Sequence, residues 1–174
     1  IPWEDVKKLL KDFKSLGAKA VEITGGGNPM LYRDKKAGVD INDVVREAGA
    51  LGFDIGIITN TEKFERHLNP EVYNFINWIR VSLIKLDEGK DPEDYDFGSF
   101  PTDRIGLSYI IYEGTGGVPN VLSRTGKPYD GTTEESIRKI ARLIELNPEI
   151  KFCRIAGNAL VEGAQVDAHA NFGD

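Results

Sequence analysis

Five short apolar runs, spaced along the chain with amphipathic or polar stretches between them, constrain this fold more than any other feature. The runs are Ala18 to Thr24, Phe53 to Thr59, Trp78 to Leu83, Arg104 to Tyr112 and Lys151 to Ala156. Each is rich in β-branched or aromatic residues and is bounded by turn formers, which reads as a strand. Between them lie helical patterns. Trp3, Val6, Leu9, Leu10, Phe13 and Leu16 recur at helical spacing after Pro2, and Gly17 ends that helix. Asp40 reads as an N-cap with Asp43 three residues on, followed by Ile41, Val44, Val45, Ala48 and Leu51 on one face and Gly52 as the stop. A short helix is expected from Asn69-Pro70, with Val72, Phe75 and Ile76 on its inner side. Thr132 and Glu135 form a capping box for a helix carrying Ile137, Ile140, Ala141 and Ile144, and a last short helix is expected from Val161.

Strict alternation of apolar strands and helices implies a parallel sheet with covering helices. Right-handed crossovers leave two topologies, an open doubly wound sheet or a whole or partial barrel, and periodicity does not separate them. In both, functional groups gather where strands end at their carboxyl edge. Those ends are Gly25 to Pro29, Thr59-Asn60, Ser82 to Lys85, Tyr112-Glu113 and Gly157-Asn158.

The 174 residues suffice for one domain with a proper core. No apolar run approaches the roughly 18–20 residues of a membrane span, and no secretory signal is visible, so the expected location is cytoplasmic. A net charge of −6 argues against a broad nucleic-acid face. Cys153 is the single cysteine, and the two histidines, His67 and His169, fall in no ligand-spaced motif, which argues against a disulfide or a self-contained zinc site.

The residues at the strand ends narrow the chemistry. Consecutive glycines at 25, 26 and 27 let a ligand approach main-chain groups, or they simply make a tight turn. They do not match the dinucleotide fingerprint, and Gly126-Lys127 is followed by Pro128, so no phosphate P-loop is present. Thr59 and Asn60 are turn formers or ligands. Ser82 either bonds to backbone or shares an inward face with Arg80, where a hydroxyl and a guanidinium suit a carboxylate. Ser108 and Ile110 share a face with Gly106. The acidic stretch from Asp87 to Asp96 reads as a solvated helical turn whose spacing does not fit a calcium loop. The polar stretch from Glu113 to Gly131 is long for a connection, and Arg124 and Lys127 give it local positive charge. Cys153 reads as a small buried hydrophobe. No Ser/His/Asp arrangement is present.

Taken together, the strand ends resemble the radical S-adenosylmethionine superfamily. Gly26-Gly27-Asn28-Pro29, preceded by Gly25, stands where that family carries a Gly-Gly-Glu-Pro-like motif, whose backbone holds the methionyl amino group. Ile58-Thr59-Asn60-Thr61 is similar to its Thr-Asn-Gly strand end. Trp78 to Ile84, with Asp87-Glu88-Gly89 after it, is similar to its Arg-Val-Ser-Leu-Asp strand, where the place of Ser82 contacts the methionyl or ribose part of the cofactor. Gly106 and Glu113 keep the first and last positions of its loose G-x-I-x-G-x-x-E pattern near adenine, with Ser108 and Ile110 in the middle two. Ala156-Gly157-Asn158 corresponds to backbone that touches adenine.

The resemblance covers residues 1 to about 160 and implies a partial (β/α) barrel with outer helices that lacks its first strand. It implies S-adenosylmethionine as cofactor at Gly25, Gly26, Gly27, Asn28, Pro29, Thr59, Asn60, Ser82, Ser108, Glu113 and Asn158. It also implies a [4Fe–4S] cluster, on a Cys-x3-Cys-x2-Cys loop expected upstream of Ile1, that would generate a 5′-deoxyadenosyl radical to modify an unknown substrate. Residues 1–174 would then be a single domain incomplete at its start, its open side covered by a partner chain or a longer parent. The alternatives are an anion- or sugar-phosphate-binding barrel enzyme and a non-catalytic barrel serving as a binding module.

Overall fold

The computed structural model of the chain describes residues 1–25, 27–87, 89–111 and 133–157. Helix α1 (Trp3–Ser15) follows Pro2, whose carbonyl accepts the first helical hydrogen bonds from Asp5 and Val6. It stops at Gly17, which takes a positive φ of 86° while Ala18 N–H returns to Phe13 O at 3.1 Å and Gly17 N–H to Lys14 O at 3.0 Å. That left-handed exit satisfies the last carbonyls and turns the chain into the first strand. Strand β1 (Ala20–Ile23) follows, then a small hairpin of β2 (Arg33–Asp34) and β3 (Val39–Asp40). Helix α2 (Ile41–Ala50) carries the expected capping box. Asp40 Oδ1 accepts from Asn42 N–H at 2.8 Å, and Asp43 Oδ2 accepts from Asp40 N–H at 2.9 Å. Gly52 ends α2 with the same exit as Gly17.

Strands β4 (Asp54–Thr59), β5 (Ile76–Ser82), β6 (Ile105–Ile111) and β7 (Phe152–Gly157) join β1 in one sheet of order β1-β4-β5-β6-β7, every pair parallel. The order follows the chain without reversal. A doubly wound sheet reverses its order at a switch point, and none occurs among the described strands.

The two faces of the sheet differ. On one face Ile55, Ile57, Ile79, Val81, Ile105, Leu107 and Tyr109 are buried in a single core that also takes Val44, Val45 and Ala48 of α2 and Ile140 and Leu143 of α4 (Thr133–Leu146). The other face alternates with it, as the strand period of two requires. It carries Glu22, Gly56, Trp78, Arg80, Ser82, Gly106, Ser108, Ile110, Phe152 and Arg154, and apart from the two glycines these side chains are half-buried or exposed. Near-continuous apolar strands lead one to expect cover on both faces. Among the described residues the helices cover only one.

Several local expectations give way. The connection from β4 to β5 is made of 3-10 turns, Phe64–Arg66 and Pro70–Phe75, rather than an α-helix. Ile76 begins β5, and Phe75 is exposed. The connection from β5 to β6 holds the one-turn α3 (Ile84–Asp87) and the 3-10 turns Pro92–Asp94 and Thr102–Arg104. The acidic segment is not simply solvated, because Pro92 and Tyr95 are buried in it and Phe97 is buried just after it. Phe64, Phe97, Phe100, Tyr73 and Tyr95 form an aromatic group over the sheet, with the Phe64–Phe100 and Tyr73–Phe100 rings edge to face at 5.5 and 5.2 Å. These rings fill the place regular helices would take. In α4 the buried side chains are Ser136, Ile140 and Leu143, while Ile137 and Ile144 lie outward. In α1 only Leu10 is buried. Thr132, the stretch from Glu113 to Gly131 and the helix expected from Val161 lie outside the described residues. Among the described residues no helix is long and apolar enough to cross a membrane.

Candidate functional site

The carboxyl ends of β1, β4, β5 and β6 stand side by side, so the topology gathers Gly25, Gly27, Asn28, Pro29, Thr59-Asn60, Ser82 and Ser108 along one edge of the sheet. Gly26, Glu113 and Asn158 lie outside the described residues. The first two ends are tied together by Asn28. Its Oδ1 accepts from the Thr59 hydroxyl at 2.7 Å and from Met30 N–H at 3.1 Å. Its Nδ2 donates to Thr61 Oγ1 at 2.6 Å. The backbone donor of Met30 fixes which side of the amide is oxygen, so the amino side faces Thr61. Pro29 opens a 3-10 turn that Asn28 caps. Thr59 is buried, and its hydroxyl also accepts from Thr61 N–H at 3.0 Å. Asn28 and Thr59 are therefore occupied with each other and hold the glycine stretch against β4.

The glycines present a different situation. Neither Gly25 nor Gly27 has the positive φ that excludes other residues, and a Cβ built on either meets no atom of the described residues within 4 Å. Gly56 and Gly106 show the contrast. A Cβ on Gly56 would fall inside the Trp78 indole, and one on Gly106 inside the Phe152 ring. Packing explains those two glycines, while among the described residues nothing places such a demand on Gly25 or Gly27.

Ser82 and Ser108 are cross-strand neighbours in the β5–β6 register, both half-buried on the uncovered face. Among the described residues neither hydroxyl makes a hydrogen bond. Arg80 lies two residues before Ser82 on that face, its guanidinium carbon 5.8 Å from the Trp78 ring centroid. Asn60 is half-buried at the end of β4. Cys153 pairs with Leu107 on the core side of the sheet, and burial raises its thiol pKa, which disfavours the thiolate.

Sequence reasoning passed over a second cluster, just beyond Asn60. Glu62 is a buried carboxylate held by Lys85 Nζ at 2.6 Å and Lys90 Nζ at 3.0 Å, and the Lys90 ammonium also sits 4.8 Å from the Tyr95 ring centroid. Burial alone would raise its pKa. The two lysine hydrogen bonds, with a backbone hydrogen bond and the charge of Lys85, together outweigh that and hold it below the ordinary carboxylate value. The three residues are 23 and 28 positions apart, and no local pattern joins them. Arg154 was likewise passed over. Its place on the uncovered face follows from strand parity only once the position of β7 is known.

No protein-family model matches this chain, and no curated protein matches it.

Proposed function

We propose that these residues form part of a (β/α) barrel of the radical S-adenosylmethionine type, with S-adenosylmethionine seated at the carboxyl edge of β1, β4, β5 and β6. The observation that carries the reading is the open space at Gly25 and Gly27, two glycines that neither their backbone conformation nor packing among the described residues requires. Leaving a strand end bare lets a ligand reach main-chain carbonyls and amides. A methionyl group offers an ammonium for those carbonyls and a carboxylate for the amides. Asn28 acts at one remove by fixing the stretch against Thr59 and Thr61. The hydroxyls of Ser82 and Ser108, without a hydrogen bond among the described residues, stand further along the same edge and suit a ribose or a second polar group. The unreversed strand order supports a barrel segment over a doubly wound sheet.

The fit extends to the organic cofactor and not to the cluster. With Cys153 as the single cysteine, facing the core, these residues do not supply three thiolates for a [4Fe–4S] cluster. Given a cluster held by other residues, the bound cofactor would supply hydrogen-atom abstraction, and this chain's part is to bind, orient and exclude water.

Titration calorimetry with S-adenosylmethionine tests the reading. We expect saturable binding, weakened about 10-fold or more by Gly25→Val or Gly27→Val, with thermal midpoints close to that of the parent. A parent chain that gives no binding heat at millimolar cofactor would remove the reading. So would valine variants that bind as tightly as the parent.

A further inference from the structure

The uncovered sheet face has a chemistry of its own. On β5, β6 and β7 its charged residues are Arg80 and Arg154, both arginines, in a chain whose net charge is −6. Among the described residues neither makes an ion pair. Strand register places them diagonally. Arg80 is level with Gly106 and Phe152, and Arg154 is level with Ser108 and Ser82. Two strand spacings and two residues of rise put their Cα atoms about 12 Å apart, with Gly106 and Ser108 between them. Long side chains from two such positions reach a common anion or the two ends of a short diacid.

The apolar part of the face is partly aromatic. Trp78 lies across Gly56 and Phe152 across Gly106, beside the branched side chains of Ile58 and Ile110. Arg80 is stacked near the Trp78 ring, which limits the freedom its guanidinium would lose on binding. Glu22 on β1 stands in the Trp78 row, two strands from it, and among the described residues it pairs with neither arginine.

We propose that this face is the substrate wall of the molecule and that it takes a small acidic molecule with a planar or apolar body. Its carboxylate or phosphate groups would be held by Arg80 and Arg154, with the hydroxyls of Ser82 and Ser108 beside them. Naming the ligand a substrate rests on the proposed barrel reading. The binding itself does not.

Phenyl phosphate and isophthalate serve as the two probes, with neutral benzamide as control, each titrated into the full chain and followed by ligand-observed NMR. At least one acid is expected to bind saturably in the low-millimolar range and to weaken as salt is added, because charge supplies much of the contact. Arg80→Gln and Arg154→Gln should each weaken it about fivefold or more. Preference for one probe assigns the group as phosphate or carboxylate. Arg154 is exposed, so Arg154→Gln keeps the question open to decision if Arg80→Gln unfolds. Three results would overturn the proposal. Neither acid saturates with the parent, or benzamide binds as well as they do, or Arg154→Gln binds both acids unchanged. S-adenosylmethionine is titrated in the same buffers. Acid binding without cofactor binding removes the cofactor reading and leaves the acidic-ligand wall standing, and cofactor binding without acid binding removes the wall alone.

Discussion

At the scale of single residues, Asn28 does more than its neighbours. One amide caps a 3-10 turn, accepts from a buried threonine and donates to another, and so joins two strand ends that are 31 residues apart. Asn28→Ala should cost about 1–3 kcal/mol, because it leaves the buried Thr59 hydroxyl without its acceptor as well as removing a cap. Urea unfolding monitored by circular dichroism measures that loss, and a midpoint unchanged from the parent would contradict the role. The sequence marks Asn28 as a site position for its neighbourhood to the glycines. Its bonds to Thr59 and Thr61 are not legible there, since they depend on how β1 and β4 align. The opposite holds for Gly25 and Gly27. A glycine run is plain in the sequence, but whether its glycines are demanded by φ, by packing or by neither is a question only coordinates answer.

At the scale of elements, the strands were legible and the connections were not. Short apolar runs with glycine or polar bounds locate all five parallel strands to within about two residues, and Gly17, Gly52 and Asp40 mark helix ends by local chemistry that needs no tertiary partner. The segments from Asn60 to Phe75 and from Leu83 to Arg104 resist this reading. Their buried aromatic residues, Phe64, Tyr73, Tyr95, Phe97 and Phe100, follow no period of 3.6 or 2 because they sit in 3-10 turns and loops. The Glu62 cluster joins these two connections alongside the ring contacts of Phe64 and Tyr73 with Phe100. Its pKa is depressed in the folded chain, so its contribution is present above the unfolded carboxylate value of about 4.3 and is lost as pH falls through the lower folded value. Stability should therefore drop below about pH 4.5, and Glu62→Gln should flatten that drop while lowering stability at neutral pH. Thermal melts of both proteins from neutral to acidic pH check this, and parallel pH profiles would exclude Glu62 as a source of the acid sensitivity.

For the whole molecule, the order of the sheet and the asymmetry of its faces decide the rest. Among the described residues β4, β5 and β6 each have partners on both sides, whereas β1 and β7 have one. Amide hydrogen exchange should be slowest in Ile57, Ile79, Val81 and Leu107, which are buried in the three central strands, and faster in β1 and β7. Equal protection across all five strands would mean that something beyond the described residues closes the two edges. The choice between barrel and doubly wound sheet is open at the level of sequence, because strand order is a long-range property and periodicity is a local one. The uncovered face is likewise legible only afterwards, when parity in each strand can be referred to a common register. One pairing on that face carries a further consequence. Because Trp78 rests on Gly56 and Phe152 on Gly106, each glycine and its ring share one volume across two strands. A methyl group gained at position 56 is tolerable once the side chain at 78 has shrunk, and the same holds for 106 and 152. Each pair is thus a single heritable unit: drift at one member is conditional on the other, and the order in which substitutions arrive determines which of them survive.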